Sequence, residues 1–398
     1  MTNELHHAPQ REISRRRLIG RLAAAGFATP AIASILAEGS WAQATPEAAT
    51  PTAEEVLAAV GKDARLIQHG STTFEMPMEL MDGLLTPNEL FFIRSNGPLS
   101  IDIEPEDWHL NVTGLVDQEL ELSLSDLEGM SPHTITSVLE CSGNSRARFA
   151  VGNEPASGTQ WGNGAIGNAE WTGVSLASVL NEAGVQDGVV DVVSQGGDFA
   201  DMQRGLPLEI ALDPDVMLVW KMNGEPLPRP NGGPVRLLVP GWGGIASTKW
   251  VVGLELIDHP FQGHFNVESY VIRDEDDAVL RPVQTMPVKS VITSPSPDAE
   301  ISAGAVTIAG YAWSGYGAIR MVEVSTDSGE TWNEAPIVLE AGPHSWVRFE
   351  YEWEAAAGDA VLMSRASDDH FLTQPLTVPW NAQGYQMNAI YDVPVTVS

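Results

Sequence analysis

One cysteine stands in a chain of 398 residues, and the residue types around it are those on which chemistry could turn. Cys141 lies in Thr136-Ser137-Val138-Leu139-Glu140-Cys141-Ser142-Gly143-Asn144-Ser145-Arg146-Ala147-Arg148-Phe149. The apolar run from Ile135 to Leu139 reads as a strand that delivers the thiol to its end, and Ser142-Gly143-Asn144-Ser145 is turn-prone. Two arginines follow. Guanidinium groups beside a sulfur favour thiolate over thiol, and a thiolate is a nucleophile or a metal ligand. A free cysteine also packs as a small hydrophobe, and this stretch alone leaves both readings open.

Further cations stand out because the chain has only 21 Lys and Arg against 53 Asp and Glu. Arg94 ends the aromatic run Phe91-Phe92-Ile93, Arg236 sits inside Pro234-Val235-Arg236-Leu237-Leu238-Val239, Lys249 precedes Trp250, and Arg348 lies in a strand-like run near the C-terminus. Singly, each has an ordinary structural explanation, since a strand arginine usually points to solvent. Together they suit a buried anionic cofactor and a small oxyanion, because arginine forks pair with phosphate and sulfur oxyanions through two hydrogen bonds at once.

Other chemistries are missing from the sequence. No phosphate-binding Gly-x-x-x-x-Gly-Lys-Ser/Thr loop occurs, and the nine histidines form no His-Glu-x-x-His. There is no Cys-x-x-Cys-His for covalent haem and no Gly-x-Ser-x-Gly nucleophile elbow. Gly241-Trp242-Gly243-Gly244-Ile245-Ala246 spells part of a dinucleotide fingerprint, but the alternating run Lys249–Ile257 follows it instead of a helix, so a dinucleotide site is discounted. A net charge of −32 argues against nucleic acid and anionic membrane surfaces. It fits a solvated surface and permits a basic protein partner. A lone cysteine forms no intramolecular disulfide.

The elements that must position these residues divide the chain. Ser14-Arg15-Arg16-Arg17-Leu18-Ile19-Gly20, the apolar run Leu22–Leu36 and Ala42-Gln43-Ala44 read as a twin-arginine signal peptide over 1–44, hence export to the periplasm or an equivalent extracytoplasmic space. Residues 45–65 read as a linker entering a short helix near Ala53–Val60. Strands are expected at His109–Gly114, Val189–Ser194, Val216–Trp220, Val235–Val239 and Lys249–Ile257. Helices are expected from Asp126 (capped by Ser125), over Leu176–Ala183 with Gly184 as stop, and over Leu206–Leu212. Gly158–Asn168 reads as a loop, Asn223-Gly224 as a tight turn and Asp274–Asp277 as a solvated loop. From Met286 onward only short strands and turns occur, which suits a β-sandwich. The expected class is α+β: a mixed α/β domain over 66–284, then an Ig-like β-sandwich over 285–398.

Several ordered motifs resemble the sulfite oxidase family. They are Phe91-Phe92-Ile93-Arg94, Glu140-Cys141-Ser142-Gly143-Asn144-Ser145-Arg146, Trp161-Gly162-Asn163-Gly164-Ala165-Ile166, Met222-Asn223-Gly224-Glu225-Pro226-Leu227-Pro228-Arg229, Gly233–Gly241 and Lys249-Trp250. Val288–Thr293, Gly310–Gly315 and Asp327–Trp332 resemble the family's dimerisation domain. The resemblance implies molybdenum held by a pterin dithiolene (molybdopterin) and by Cys141. It implies oxidation of sulfite to sulfate, with electrons passed singly to a separate cytochrome c-type acceptor, since no haem domain is read in this chain. It further implies that Arg94, Arg146 and Arg348 surround the oxyanion beside Trp161 and Tyr270, and that Phe92, Arg94, Asn96, Asp198, Asn231, Arg236 and Lys249 line the pterin pocket. Asn96 and Asn231 replace histidines frequent in the family. A homodimer through the sandwich is implied as well. Two alternatives stand beside this reading: a sulfane dehydrogenase or sulfoxide reductase on the same scaffold, and a secreted, non-enzymatic β-sandwich binding protein with an incidental cysteine.

Overall fold

The computed structural model describes residues 51–150, 154–274 and 276–398. The twin-arginine segment and the first residues of the linker lie outside them. Ala53–Ala59 forms the expected short helix, with Thr52 and Glu55 exchanging hydrogen bonds at its start. Residues 60–398 form one compact unit.

Two five-stranded sheets frame the first part of that unit. In one, the strands run in the order Glu225–Pro226, Met217–Met222, Ile166–Ser175, His133–Glu140, and Arg236–Leu238 also pairs with Met217–Met222. In the other the order is Leu120–Ser123, His109–Gly114, Val251–Ile257, Asp191–Gly196, Gln203–Pro207, with one parallel pair, His109–Gly114 on Val251–Ile257. Their shared core is aliphatic: Leu110, Val112, Leu176, Leu180, Leu218, Leu237, Leu254 and Leu256 are buried in one cluster. Beyond residue 288 two sheets stack as the sandwich. One carries Lys289–Ser294, Gly304–Trp313, Val347–Ala355 and Ile337–Leu339. The other carries Ala299–Ile301, Val393–Val397, Gly358–Asp368, Ile319–Ser325 and Asn333–Glu334. The α+β class with an Ig-like sandwich is as expected.

Three local expectations are corrected. Ser123, not Ser125, caps the helix Leu124–Gly129: its hydroxyl accepts from Asp126 N while Asp126 Oδ2 accepts from Ser123 N. That capping box satisfies two free donors, and Ser125 cannot form it from inside the first turn. The Gly158–Asn168 loop ends early, because Ile166–Ser175 is a ten-residue strand. Gly167 reads as a loop signal but serves close approach, since a Cβ there would lie 2.4 Å from the Phe91 ring; further along the same strand, a Cβ on Gly173 would lie 2.1 Å from Leu218 O. Leu206–Leu212 is not one helix; Gln203–Pro207 is a strand, and only Leu208–Ala211 is helical.

The sandwich core rests on Phe349, fully buried against Gly310. Phe349→Ala is expected to lower unfolding free energy by about 3–5 kcal/mol, read by denaturant titration. A loss below ~1 kcal/mol would contradict this packing.

Candidate active site

The strand His133–Glu140 ends at Cys141, which is 7% exposed. Cys141 N donates to Ala165 O (2.9 Å), Cys141 O accepts from Asn144 N (2.8 Å), and Arg146 N donates to Gly143 O (3.0 Å). The chain therefore turns back so that thiol and guanidinium face one cavity. Ser145 takes φ 67°, a left-handed conformation that a residue with a side chain adopts only at a cost. Trp250 (φ 50°), beside Lys249, and Tyr270 (φ 56°) do the same. Strain of ~1–3 kcal/mol per such residue is kept only where the surroundings impose it, and three of these residues cluster here.

Two adjoining cavities share Arg94, Cys141 and Tyr270. One, of about 70 Å³, is lined also by Phe92, Asn96, Ser142, Asp198, Asn231, Arg236, Ser247, Thr248 and Lys249, among others. The second, of about 280 Å³, is lined also by Arg146, Ser157, Gly158, Thr159, Ser269, Gln383 and Tyr385.

Backbone carbonyls, not carboxylates, hold the cations. Arg146 donates from Nε to Gln383 O and from Nη1 to Thr159 O, both at 2.8 Å, and lies 5.1 Å from the Tyr385 ring centre. A Cβ on Gly143 would sit 2.4 Å from its Nη2, and one on Gly384 2.5 Å from its Cγ, so glycine is required on both sides of this arginine. Arg94 donates to Ser95 O and to Asn96 Oδ1, which also accepts from the Tyr270 hydroxyl at 3.3 Å. Arg236 donates to Asn231 O and Ser247 O, each at 2.7 Å. Lys249 Nζ donates to Ser95 Oγ (2.8 Å) and Pro230 O (3.0 Å) and lies 4.1 Å from the Trp250 ring centre.

Burial makes the charges on Arg236 and Lys249 expensive. It presses the Arg236 pKa down to about 9. Burial, and then the Arg236 charge, press Lys249 well below its ordinary value. Burial raises the Asp198 carboxyl, opposed by Lys249. Burial, reinforced by Tyr270, pushes Tyr385 up to about 12, so it stays a neutral phenol; its ring stacks on Tyr270 with centres 5.1 Å apart.

Phe92, Arg94, Asn96, Cys141, Asp198, Asn231, Arg236, Lys249, Arg146 and Tyr270 all line these cavities. Trp161 does not. It is fully buried in the apolar cluster that includes Cys141, and its carbonyl accepts from Ala147 N behind the turn. Arg348 does not either. It lies in the strand Val347–Ala355, opposite Tyr311, and pairs with Glu350. The strand register keeps it in the sandwich, so the oxyanion role expected of it is withdrawn.

Gln383 and Tyr385 were not expected. They come from the segment after the last long sandwich strand, and its only sequence signal is Gly384, with φ 60°. Arg204 was missed too. It is 1% exposed and donates to Phe265 O and Val283 O; Val283 N in turn donates to Tyr270 O at 2.7 Å.

The donor set suits a molybdenum–pterin group. Among the described residues no three His, Cys, Asp or Glu gather as a metal site. Cys141 is the one soft donor in the cavity walls, and a molybdenum bound there would take further ligands from its pterin. Arg236 and Lys249 suit an anionic pterin tail. Ser142 Oγ, Asp198 Oδ1 and Asn231 Oδ1 are buried without partners, as fits a pocket for a heterocycle rich in hydrogen-bonding groups.

Comparison with known proteins agrees. A family model described as the oxidoreductase molybdopterin binding domain matches residues 96–265, and one described as the Mo-co oxidoreductase dimerisation domain matches 280–398. Sulfite oxidase of Gallus gallus is 35% identical, over 78% of this chain and 73% of its own length. The chain belongs to the sulfite oxidase family. Its cofactor is molybdenum with molybdopterin. Mitochondrial sulfite oxidase of Mus musculus is 36% identical over 81% of this chain, and the match spans 64% of that relative's length. The sulfane dehydrogenase SoxCD from Paracoccus pantotrophus superimposes with a TM-score of 0.76 at 30% identity, covering 89% of this chain and 92% of that one.

A buried lysine with no carboxylate held against it predicts a trade-off. The unfolded chain keeps the Lys249 proton up to about pH 10.5, whereas the folded chain releases it well below. Stability of the cofactor-free protein therefore rises with pH across that interval. Lys249→Met is expected to flatten this slope, to stabilise the cofactor-free protein by about 1 kcal/mol or more at pH 7, and to lower cofactor content. Denaturant melts at several pH values and metal analysis check it. Unchanged stability with full cofactor retention would contradict it.

Proposed function

We propose that the protein oxidises sulfite to sulfate with water as oxygen source, passing two electrons singly to a separate cytochrome c-type acceptor. The observation that carries this reading is the wall of the larger cavity: two guanidiniums and the only thiol of the chain, with no carboxylate among the lining residues. A small, strongly hydrated dianion enters a dry site only where fixed donors replace its water. Arg94 and Arg146 provide those donors, already oriented by carbonyls and by Asn96. Tyr270 lines the same wall, donates its hydroxyl to Asn96 Oδ1, and would relay a proton as water is consumed. When bound, the molybdenum cofactor supplies the two-electron, oxygen-transfer chemistry. Cys141 would ligate the metal, and Arg236, Lys249, Asn231 and Asp198 would hold the pterin.

Sulfane sulfur is the second reading. The SoxCD likeness favours it, as do the neutral lining residues Ser157, Thr159, Ser269 and Gln383 of a cavity of about 280 Å³, a volume larger than a free oxyanion needs. The Ser14–Gly20 pattern supports export by the twin-arginine route to the periplasm, and the match to a dimerisation domain supports a homodimer.

Arg146→Gln tests the reading by steady-state reduction of cytochrome c or ferricyanide with sulfite. The expected loss in kcat/KM is about 10²–10³-fold, the range for removing one fixed donor to an oxyanion. Cys141→Ser is expected to lose both molybdenum and turnover. Wild type that carries molybdenum and ignores sulfite would overturn the sulfite reading in favour of sulfane sulfur.

A further inference from the structure

The turn that carries Cys141 and Arg146 is gripped from behind by buried side chains of the sandwich. Glu140, the residue before the thiol, has both carboxylate oxygens occupied. Oε1 accepts from Lys289 Nζ at 3.2 Å and from Asn144 Nδ2 at 2.9 Å, and Oε2 accepts from Trp313 Nε1 at 2.8 Å. Lys289 Nζ also donates to Ser145 Oγ at 2.7 Å, the residue before Arg146. Ser145 Oγ continues to Asn163 Oδ1 at 2.5 Å, and Asn144 Oδ1 accepts from Ala165 N at 3.1 Å. Glu140, Asn144, Ser145, Lys289 and Trp313 are each at most 4% exposed. Lys289 and Trp313 face one another in the register of neighbouring antiparallel strands, so a single cross-strand pair supplies both sandwich donors.

A buried ion pair is a poor device for stability, since apolar side chains of similar volume serve as well or better. What this one adds is geometry. One ammonium spans the residue before the thiol and the residue before the arginine, and so fixes the width of a turn whose Ser145 is held at a strained φ. We infer that Lys289 and Trp313 are positioning residues for the reactive turn, setting Cys141 Sγ and the Arg146 guanidinium relative to one another through Glu140 and Ser145. The sandwich is then part of the catalytic apparatus in addition to any role in pairing two chains.

The inference concerns the site of the proposed function and rests on that reading only where turnover is measured. Its test uses the full chain in two forms. In cofactor-free protein, the rate of Cys141 alkylation by iodoacetamide at fixed pH reads how firmly the turn is held. In loaded enzyme, the Mo(V) electron paramagnetic resonance spectrum and kcat and KM for sulfite read the placement of thiolate and arginine. The double variant Glu140→Gln with Lys289→Met removes both charges and leaves no buried ion unpaired. It is expected to keep native circular dichroism, to alkylate about tenfold faster, to shift the Mo(V) spectrum and to lose about tenfold in kcat. Trp313→Phe deletes one donor and keeps most of the volume; it is expected to move every readout the same way by about threefold. Lys289→Arg, which preserves the charge, should recover most of the spectrum. Wild-type alkylation and spectrum in either folded variant would overturn the inference, and if the double variant does not fold, Trp313→Phe decides alone. A wild type inactive on sulfite would defeat the sulfite reading while the alkylation and spectral readouts still decide this inference.

Discussion

Positive charge buried in excess of its carboxylates is the constraint to which the rest of this protein answers. Arg94, Arg146, Arg236 and Lys249 converge on two joined cavities where Asp198 is the only acid in the lining. Each is solvated by main-chain carbonyls and side-chain oxygens, which satisfy donors but cancel no charge. The depressed pKa values of Arg236 and Lys249 express the same imbalance. A bound anion is the natural counterweight, and an anionic cofactor beside a small oxyanion supplies it twice. The net charge of −32 over the whole sequence has the opposite sign and hides the chemistry within.

The fold meets this constraint by over-determining a few short segments. Strained backbone at Ser145, Trp250 and Tyr270, and glycines pressed against Arg146, are tolerated because two sheets and the sandwich enclose them. Arg204, buried beneath the Tyr270 segment, ties two of its neighbouring carbonyls together. Behind the thiol, Glu140 and Lys289 form a balanced pair, with both carboxylate oxygens hydrogen-bonded. The balanced knot and the unbalanced cavity lie on opposite sides of one turn.

Much of this was legible in the sequence, for identifiable reasons. Rare residue types in odd company, one cysteine and a few cations within apolar or glycine-rich runs, marked the charged part of the cavity wall, and the family resemblance added Phe92, Asn96, Asp198, Asn231 and Tyr270. Contacts between distant segments were not legible. Gln383 and Tyr385 are held at the site by long-range bonds, Arg146 Nε to Gln383 O, Gln386 N to Ser142 O and Ser157 to Ala382 O, and no local pattern encodes any of them. Arg348 misled because its residue type suited an oxyanion while its strand register, opposite Tyr311, fixed it elsewhere. The strand Ile166–Ser175 hid behind glycines that make room for Phe91 and for Leu218. The Gly241–Ala246 string was set aside with the dinucleotide fingerprint, yet Gly244 and Ile245 line the cavity.

The most direct test of the charge argument is the thermal midpoint of the full chain with and without its molybdenum cofactor, at the same pH and ionic strength. If buried, uncancelled cations are the central feature, loading raises the midpoint by about 5–10 °C or more, through the linkage between binding and folding. Inorganic sulfate added to the cofactor-free chain then gives a smaller rise in the same direction. Equal midpoints for loaded and cofactor-free protein, with no response to sulfate, would contradict the account.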